Sequence, residues 1–257
     1  MTIKYFFYAI LIVSLTSCYY NKNMIYLQDE SFTEQRAKLI QNDKQPYRIQ
    51  PNDIISVKVK SVSNTEISDI FNITPSLGPV YMAPGNLYLE GYSVNDAGQI
   101  TLPVIGTVTV KDMTLEEVQQ VIQDNTKQYL NNATVIVKLL SFKITVLGEV
   151  KNPGYHYVFN NQVTILEALG LAGDLTQYGN RKNIKLIRQH PEGNMVVLIN
   201  LTDPKLLQSE YFYLMPNDVL YVEPLKATVK RTNLDLLSVL FSAATTTVLI
   251  LSYIDSN

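Results

Sequence analysis

From Tyr47 onward apolar and polar residues alternate in short runs, and each run predicts a strand. Ile55, Val57 and Val59 alternate after a turn at Pro51-Asn52-Asp53. Ile100, Leu102, Val104, Val108 and Val110 continue the strand material after a turn at Asn95-Asp96-Ala97-Gly98. The spacing then changes to that of a helix. Thr114-Leu115-Glu116-Glu117 is a capping box, in which Thr114 accepts from unpaired N–H groups of the first turn and Glu117 reaches back. Leu115, Val118, Ile122 and Tyr129 mark one face of that helix, which should end near Asn131-Asn132, and residues 133–140 return as a strand. A second unit opens with Phe142, Ile144 and Val146. Thr164-Ile165-Leu166-Glu167 is a second capping box, for a short helix that stops at Ala172-Gly173. Strands follow at 184–188, 195–200 and 214–222. One short helix against a mixed sheet predicts β-grasp geometry for this unit, and an α+β fold for the whole.

The turn Pro51-Asn52-Asp53 has an echo in Pro216-Asn217-Asp218, again followed by an alternating strand, Val219-Leu220-Tyr221-Val222. The echo predicts two equivalent strand entries. It also raises the expectation that the strand at 47–60 crosses to pair beside the second one. Residues 61–92, with Pro75, Gly78, Pro79, Pro84, Gly85 and Gly91, read as a long loop.

The two ends carry a different pattern. Lys4 and the apolar residues 5–15 form a secretory leader, followed by Leu15-Thr16-Ser17-Cys18, which resembles a bacterial lipobox with Cys18 as the lipid-attachment residue. Tyr19 stands where an Asp would signal retention in the inner membrane. At the other end, residues 234–254 span about 31 Å as a helix, the thickness of a bilayer core. Asp235, Ser238, Ser242, Thr245, Thr246 and Tyr253 share one half of that helix, and Leu236, Leu237, Leu240, Val248, Leu251 and Ile254 the other. Leu249 and Thr247 break the division. The apolar residues favour insertion by about 3 to 7 kcal/mol before the cost of Asp235 and the hydroxyls, so insertion of one isolated helix is marginal.

Charge and chemistry narrow the reading. The formal net charge is −2, so there is no basic field to hold nucleic acid. Cys18 is the only cysteine and His156 and His190 the only histidines, which rules out Cys/His metal spacing within one chain. GxSxG, HExxH, GxxxxGK and GxGxxG are all missing. Glu116 and Glu117 point about 100° apart on a helix, and Glu117 already serves as a cap. No catalytic residue, metal site or cofactor is expected. Asn72, Asn132 and Asn200 begin sequon-like triplets that carry no meaning in a bacterial lipoprotein.

Gly148-Glu149-Val150-Lys151-Asn152-Pro153-Gly154, then Thr164 to Leu169 with Glu167, and Ala172-Gly173-Asp174, resemble the SLBB (soluble-ligand-binding β-grasp) domain. Tyr92 to Gly106, Met113-Thr114-Leu115 and the strand at 131–138 resemble a polysaccharide export domain. In this order they are similar to Wza-type outer-membrane polysaccharide export lipoproteins. The resemblance implies a homo-oligomeric ring, an octamer in well-known members, with stacked periplasmic domains and a barrel of C-terminal helices through the outer membrane. It further implies a capsular polysaccharide or exopolysaccharide as substrate and an inner-membrane copolymerase or tyrosine kinase as partner. A single SLBB unit, and Asp174 where a glycine is usual, depart from the longer members.

The expected organisation is a leader at 1–17, a tether at 18–45, an export domain at 46–141, an SLBB domain at 142–224, and a linker with the membrane helix at 225–257. On this expectation Asp235, Ser238, Ser242, Thr245 and Thr246 line a pore, and Leu236, Leu237, Leu240 and Leu251 face lipid. The competing reading is a monomeric or adaptor glycan-binding lipoprotein whose tail is only an anchor.

Overall fold

The structure is a computed structural model that describes residues 24–29, 32, 37, 39–42, 44–61, 68–72, 91–190, 192–226 and 232–255. The expected leader, Cys18 and most of the loop at 61–92 lie outside the described residues. The chain is strand-rich with few helices, and its buried apolar residues fall into two clusters. One runs from Ile49 to Val137 and the other from Phe142 to Val222.

In the first half, β1 (Ile54–Ser61) is the middle strand of a sheet ordered β2-β1-β5, with β2 at Tyr92–Ser93 and β5 at Ala133–Leu139. β1 runs antiparallel to β5, with Val57 opposite Val137 and Val59 opposite Val135, so these four apolar side chains share one face. The expected crossing is thus corrected: β1 stays within the first half. Its alternation serves a partner on either side equally well, and the pairing with β5 is what buries Ile55, Val57 and Val59. Helix α1 (Leu115–Thr126) covers that face with the fully buried Val118 and Ile122. Both bonds of its capping box form: Glu117 N–H donates to Thr114 Oγ1 at 3.2 Å, and Thr114 N–H to Glu117 Oε2 at 2.7 Å.

α1 stops earlier than its apolar spacing predicts. Thr126 is fully buried with its hydroxyl on the Ile122 carbonyl, and Tyr129 lies beyond the helix, 55% exposed, with its ring 6.3 Å from Phe71. Strands β3 (Gln99–Leu102) and β4 (Gly106–Thr109) form a hairpin. Val104, expected as strand, sits in its turn at φ +63°, exposed. Of the loop expected at 61–92, residues 68–72 are among those described. Phe71 enters the core, and the Asn72 amide takes the place of a strand partner for Val59, accepting from its N–H and donating to its carbonyl.

The second half contains β6 (Lys143–Gly148), β7 (Gly154–Tyr157), β8 (Val163–Thr164), α2 (Ile165–Leu171), β9 (Gly179–His190), β10 (Gly193–Ile199), β11 (Tyr213–Leu214) and β12 (Val219–Pro224). Its five-stranded sheet is ordered β10-β9-β12-β6-β7, and the first and last long strands, β6 and β12, lie side by side in parallel. That central parallel pair, with α2 packed on the face of Ile144, Val146, Leu220 and Val222, is the arrangement expected of a β-grasp. Thr164 and Glu167 cap α2 with the same reciprocal bonds as at α1. A final helix, α3 (Thr232–Asp255), follows the last strand.

The expected tether at 18–45 does not run clear of the body over its described part. Leu27 N–H donates to the Leu201 carbonyl at 2.9 Å and Gln28 N–H to Thr202 at 2.8 Å. Tyr26 and Leu27 pack on the second core, and the Asn42 amide donates to the Leu207 carbonyl.

Candidate functional site

The repeated turns meet at the junction of the two halves. Asn52 and Asn217 both have positive φ, +71° and +67°, a conformation Asn tolerates well. The aspartates that follow are buried, and each accepts from the backbone N–H three residues earlier: Gln50 N–H at 3.0 Å from Asp53 Oδ2, and Met215 N–H at 2.7 Å from Asp218 Oδ2. Here the echo in the sequence is a real structural equivalence. Tyr47 OH and Ser141 OH complete the shell of Asp53, at 2.7 and 3.1 Å. Burial pushes the Asp53 carboxyl above its ordinary value and, with the adjacent Asp53 charge, raises Tyr47 as well. Asp218 is gripped instead by Arg188, through Nε to Oδ1 at 2.9 Å and Nη2 to Oδ2 at 2.7 Å. Between the halves lies a cleft of about 1220 Å³, with Tyr47, Arg48, Lys111, Lys143, Tyr157 and Tyr211 in its walls.

The glycine motif is explained by close approach. Gly148 has φ +87°, and a Cβ there would stand 2.1 Å from the Val222 carbonyl oxygen across the parallel strands. Gly173, at φ +74°, faces the Asn152 amide, while Gly154 has open space around it. The turn 149–153 is fastened by Asn152 N–H to the Ala172 carbonyl, Lys151 N–H to that of Asp174, and Thr176 OH to the Glu149 carboxylate. Pro153 is exposed at its end, and Glu167 acts only as a cap. Asp174 stands at φ +70°, where its carboxylate accepts from its neighbour Leu175 N–H and from Tyr26 OH. An Asp can therefore occupy the glycine-like position and also hold the N-terminal segment. Arg181 lies over the Tyr26 ring, 5.6 Å from its centre. Sequence patterning missed this clasp, because one tyrosine in a polar stretch sets up no period.

Helix α3 is formed over Thr232–Asp255, and the large side chains described on it are exposed. Val239, Leu240, Phe241, Leu249, Ile250, Tyr253 and Ile254 are each more than half accessible. Its hydroxyls bond back to their own helix: Ser242 to the Val239 carbonyl, Thr245 to Phe241, Thr246 to Ser242 and Thr247 to Ala243, at 2.7 to 2.9 Å. Such bonds lower the polarity of the stripe, since each donor is already used. Ser238, Ser242, Thr245, Thr246 and Leu240 are exposed; the side chains of Asp235, Leu236, Leu237 and Leu251 lie outside the described set. Among the described residues no helix is long and apolar enough to cross a membrane.

The groups considered for chemistry stay apart. Glu117 is used in its cap and lies 3.5 Å from Arg48, while Glu116 is exposed. His156 contacts the Asn152 carbonyl, and His190 is exposed at the end of β9. Among the described residues no group of three His, Cys, Asp or Glu side chains could hold a metal ion.

Comparison with known proteins matches this division of the chain. Residues 41–140 match the family described as polysaccharide biosynthesis/export protein, and residues 142–222 match the SLBB domain. The chain is 32% identical over 151 residues to the EPS I polysaccharide export outer membrane protein EpsA of Ralstonia nicotianae. It is 30% identical over 154 residues to the protein of the same name from Ralstonia solanacearum. Each match covers 56% of this chain and 39% of the relative, so the chain spans about two fifths of the length of these relatives.

Proposed function

We propose that the chain, which matches an export domain followed by one SLBB domain, is a Wza-type polysaccharide export protein and a subunit of an outer-membrane export channel. In this reading it is a lipoprotein attached through Cys18, with its bulk in the periplasm. Copies assemble into a ring, an octamer as the resemblance to Wza-type proteins implies. The α3 helices form the pore, and capsular polysaccharide or exopolysaccharide passes through it, supplied by an inner-membrane copolymerase or tyrosine kinase.

The observation that carries the reading is α3 itself: a formed helix with Val239, Leu240, Phe241, Leu249 and Ile250 left exposed. Side chains of this size on every side of a helix call for lipid or neighbouring helices as cover. A helix too short of apolarity to span alone can do so as one stave of a bundle, because the neighbours shield its polar groups. Asp235, Ser238, Ser242, Thr245 and Thr246 then face the lumen, and Leu236, Leu237, Leu240 and Leu251 face lipid. A conduit requires no reaction site, only a wetted wall that binds sugar weakly. The deciding experiment is imaging of the full-length protein in detergent. Rings with a central channel are expected, and particles that are all monomeric would defeat the proposal.

The back-bonded hydroxyls favour a second reading. With their donors satisfied inside the helix, Ser242, Thr245 and Thr246 can face lipid at small cost, as in a plain anchor of a glycan-binding lipoprotein. The same images separate the two.

A further inference from the structure

β6 and β12 finish, and β9 begins, at one end of the five-stranded sheet. Both routes to the membrane leave from this end. Leu225 N–H is bonded to the Tyr178 carbonyl just before the link to α3, which starts at Thr232, about 25 Å of extended chain away. The N-terminal segment is clasped here by Asp174, Leu201 and Thr202, and Cys18 lies six residues before Met24, about 20 Å at full extension.

The charges at this end are unevenly matched. Its carboxylates are held by hydrogen bonds, Glu149 by Thr176, Asp174 by Tyr26 and Asp203 by the Lys205 N–H, and of these four groups Glu223 alone has a cation, Lys185, with Asn183 and with Lys226 close by. Lys151, Lys182 and Lys226 are exposed, and among the described residues none of them forms an ion pair. Arg181 is 7% exposed, donates to the Thr176 and Gly179 carbonyls, and likewise has no carboxylate partner among the described residues. Lys151, Lys182 and Lys226 are thus the cations at this end left free to meet an anionic surface, although the chain as a whole carries a formal net charge of −2.

We propose that this end of the SLBB domain, through Lys151, Lys182 and Lys226, docks on the phosphate groups of an anionic lipid surface. The proposal rests on reading α3 as the membrane segment and deepens it by naming what the domain touches. Basic residues held next to a bilayer gain most from anionic lipid, and the short links at both chain ends leave this surface little room to stand off. The lipid contact would fix the height and tilt of the domain.

The test uses the full-length protein in detergent, given equal amounts of phosphatidylglycerol and phosphatidylcholine, with bound lipid read by native mass spectrometry. The wild type should retain phosphatidylglycerol preferentially, by about fivefold for each lysine engaged. The preference should vanish in K151Q/K182Q/K226Q and persist in K58Q/K60Q, where the exposed lysines of β1 are changed. It should also collapse in the wild type at about 0.5 M salt, an arm that does not depend on any variant folding. Equal retention of the two lipids by the wild type, survival of the preference in the triple variant, or equal loss in K58Q/K60Q would each overturn the proposal. Rings without a lipid preference would refute this inference alone. Monomers would refute the channel reading while the lipid ratio could still be read.

Discussion

Asp53 and Asp218 hold the same place in two copies of one turn, each buried and each accepting the backbone N–H three residues before it, but their charges are balanced in different ways. Asp53 is met by two neutral hydroxyls, from Tyr47 and Ser141, and Asp218 by a bidentate guanidinium, from Arg188. The backbone arrangement is shared. The response to mutation should not be.

Asp53 makes stability depend on pH. Burial raises its folded value above 3.8, so from pH 3.8 up to that folded value the native state holds a proton that the unfolded chain has released. Stability from this group is therefore full below pH 3.8 and is lost as pH rises through the folded value. In D53N the amide oxygen can still accept from Gln50 N–H, and this contribution to the slope disappears. Urea midpoints measured across the acid range should show D53N gaining on the wild type as pH rises. Parallel curves would contradict the assignment.

D218A should be far more costly than removal of an exposed pair. It leaves the Arg188 guanidinium, whose side chain is 11% exposed, without its carboxylate, at a cost of about 3–5 kcal/mol. D124A breaks the exposed, solvent-screened pair with Lys127 and should cost far less. Denaturant titration of the two variants gives the comparison directly; similar losses would mean that the buried pair is not a clamp.

G148A tests close packing between parallel strands. The new Cβ would meet the Val222 carbonyl oxygen, a backbone atom that cannot move aside without parting β6 from β12. A loss of about 3 kcal/mol or more, or failure of the domain to fold, is expected. G154A meets no atom within 4 Å and should cost only about 1–2 kcal/mol for its backbone conformation. Melting temperatures that fall equally in both would refute the packing argument.

The helix stripe can be tested by charge. S238D and S242D should leave ring assembly and polymer export largely intact if these positions face a lumen. L240D and L251D should abolish both, since a carboxylate facing lipid costs about 2.5–3.5 kcal/mol per helix. Export measured in cells, with rings counted in detergent, provides the readout, and equal intolerance on both faces would favour the plain anchor.

Much of the fold was legible because the signals were local. Both capping boxes are written within four residues, and Glu117 and Glu167 occupy the positions where Thr114 and Thr164 require them. The repeated turn was legible for the same reason. What could not be read was pairing over distance. The alternation of Ile55, Val57 and Val59 says which face is buried but not which strand lies alongside, and β5 and β12 offer equally apolar edges. Val104 was misread because a β-branched residue at φ +63° runs against its own preference, and the hairpin closure overrides it. Tyr129 matched the helical spacing, but its ring serves Phe71 from the chain beyond the helix. The Tyr26 clasp depends on one hydroxyl meeting Asp174, a contact between chain segments that no periodicity records.

The parallel pairing of β6 with β12 also governs when this domain can form. Val219 joins Thr145 only after everything between them has been made, so the sheet stays open at its centre until its last strand arrives. The first half has no such dependence on the C-terminal residues, because β1 closes on β5. As the chain emerges, the export domain can therefore fold first, while the SLBB sheet must wait almost until α3 itself appears. A helix with exposed apolar side chains that follows its domain's closing strand so directly spends little time attached to an unfolded neighbour, which limits its opportunity to aggregate.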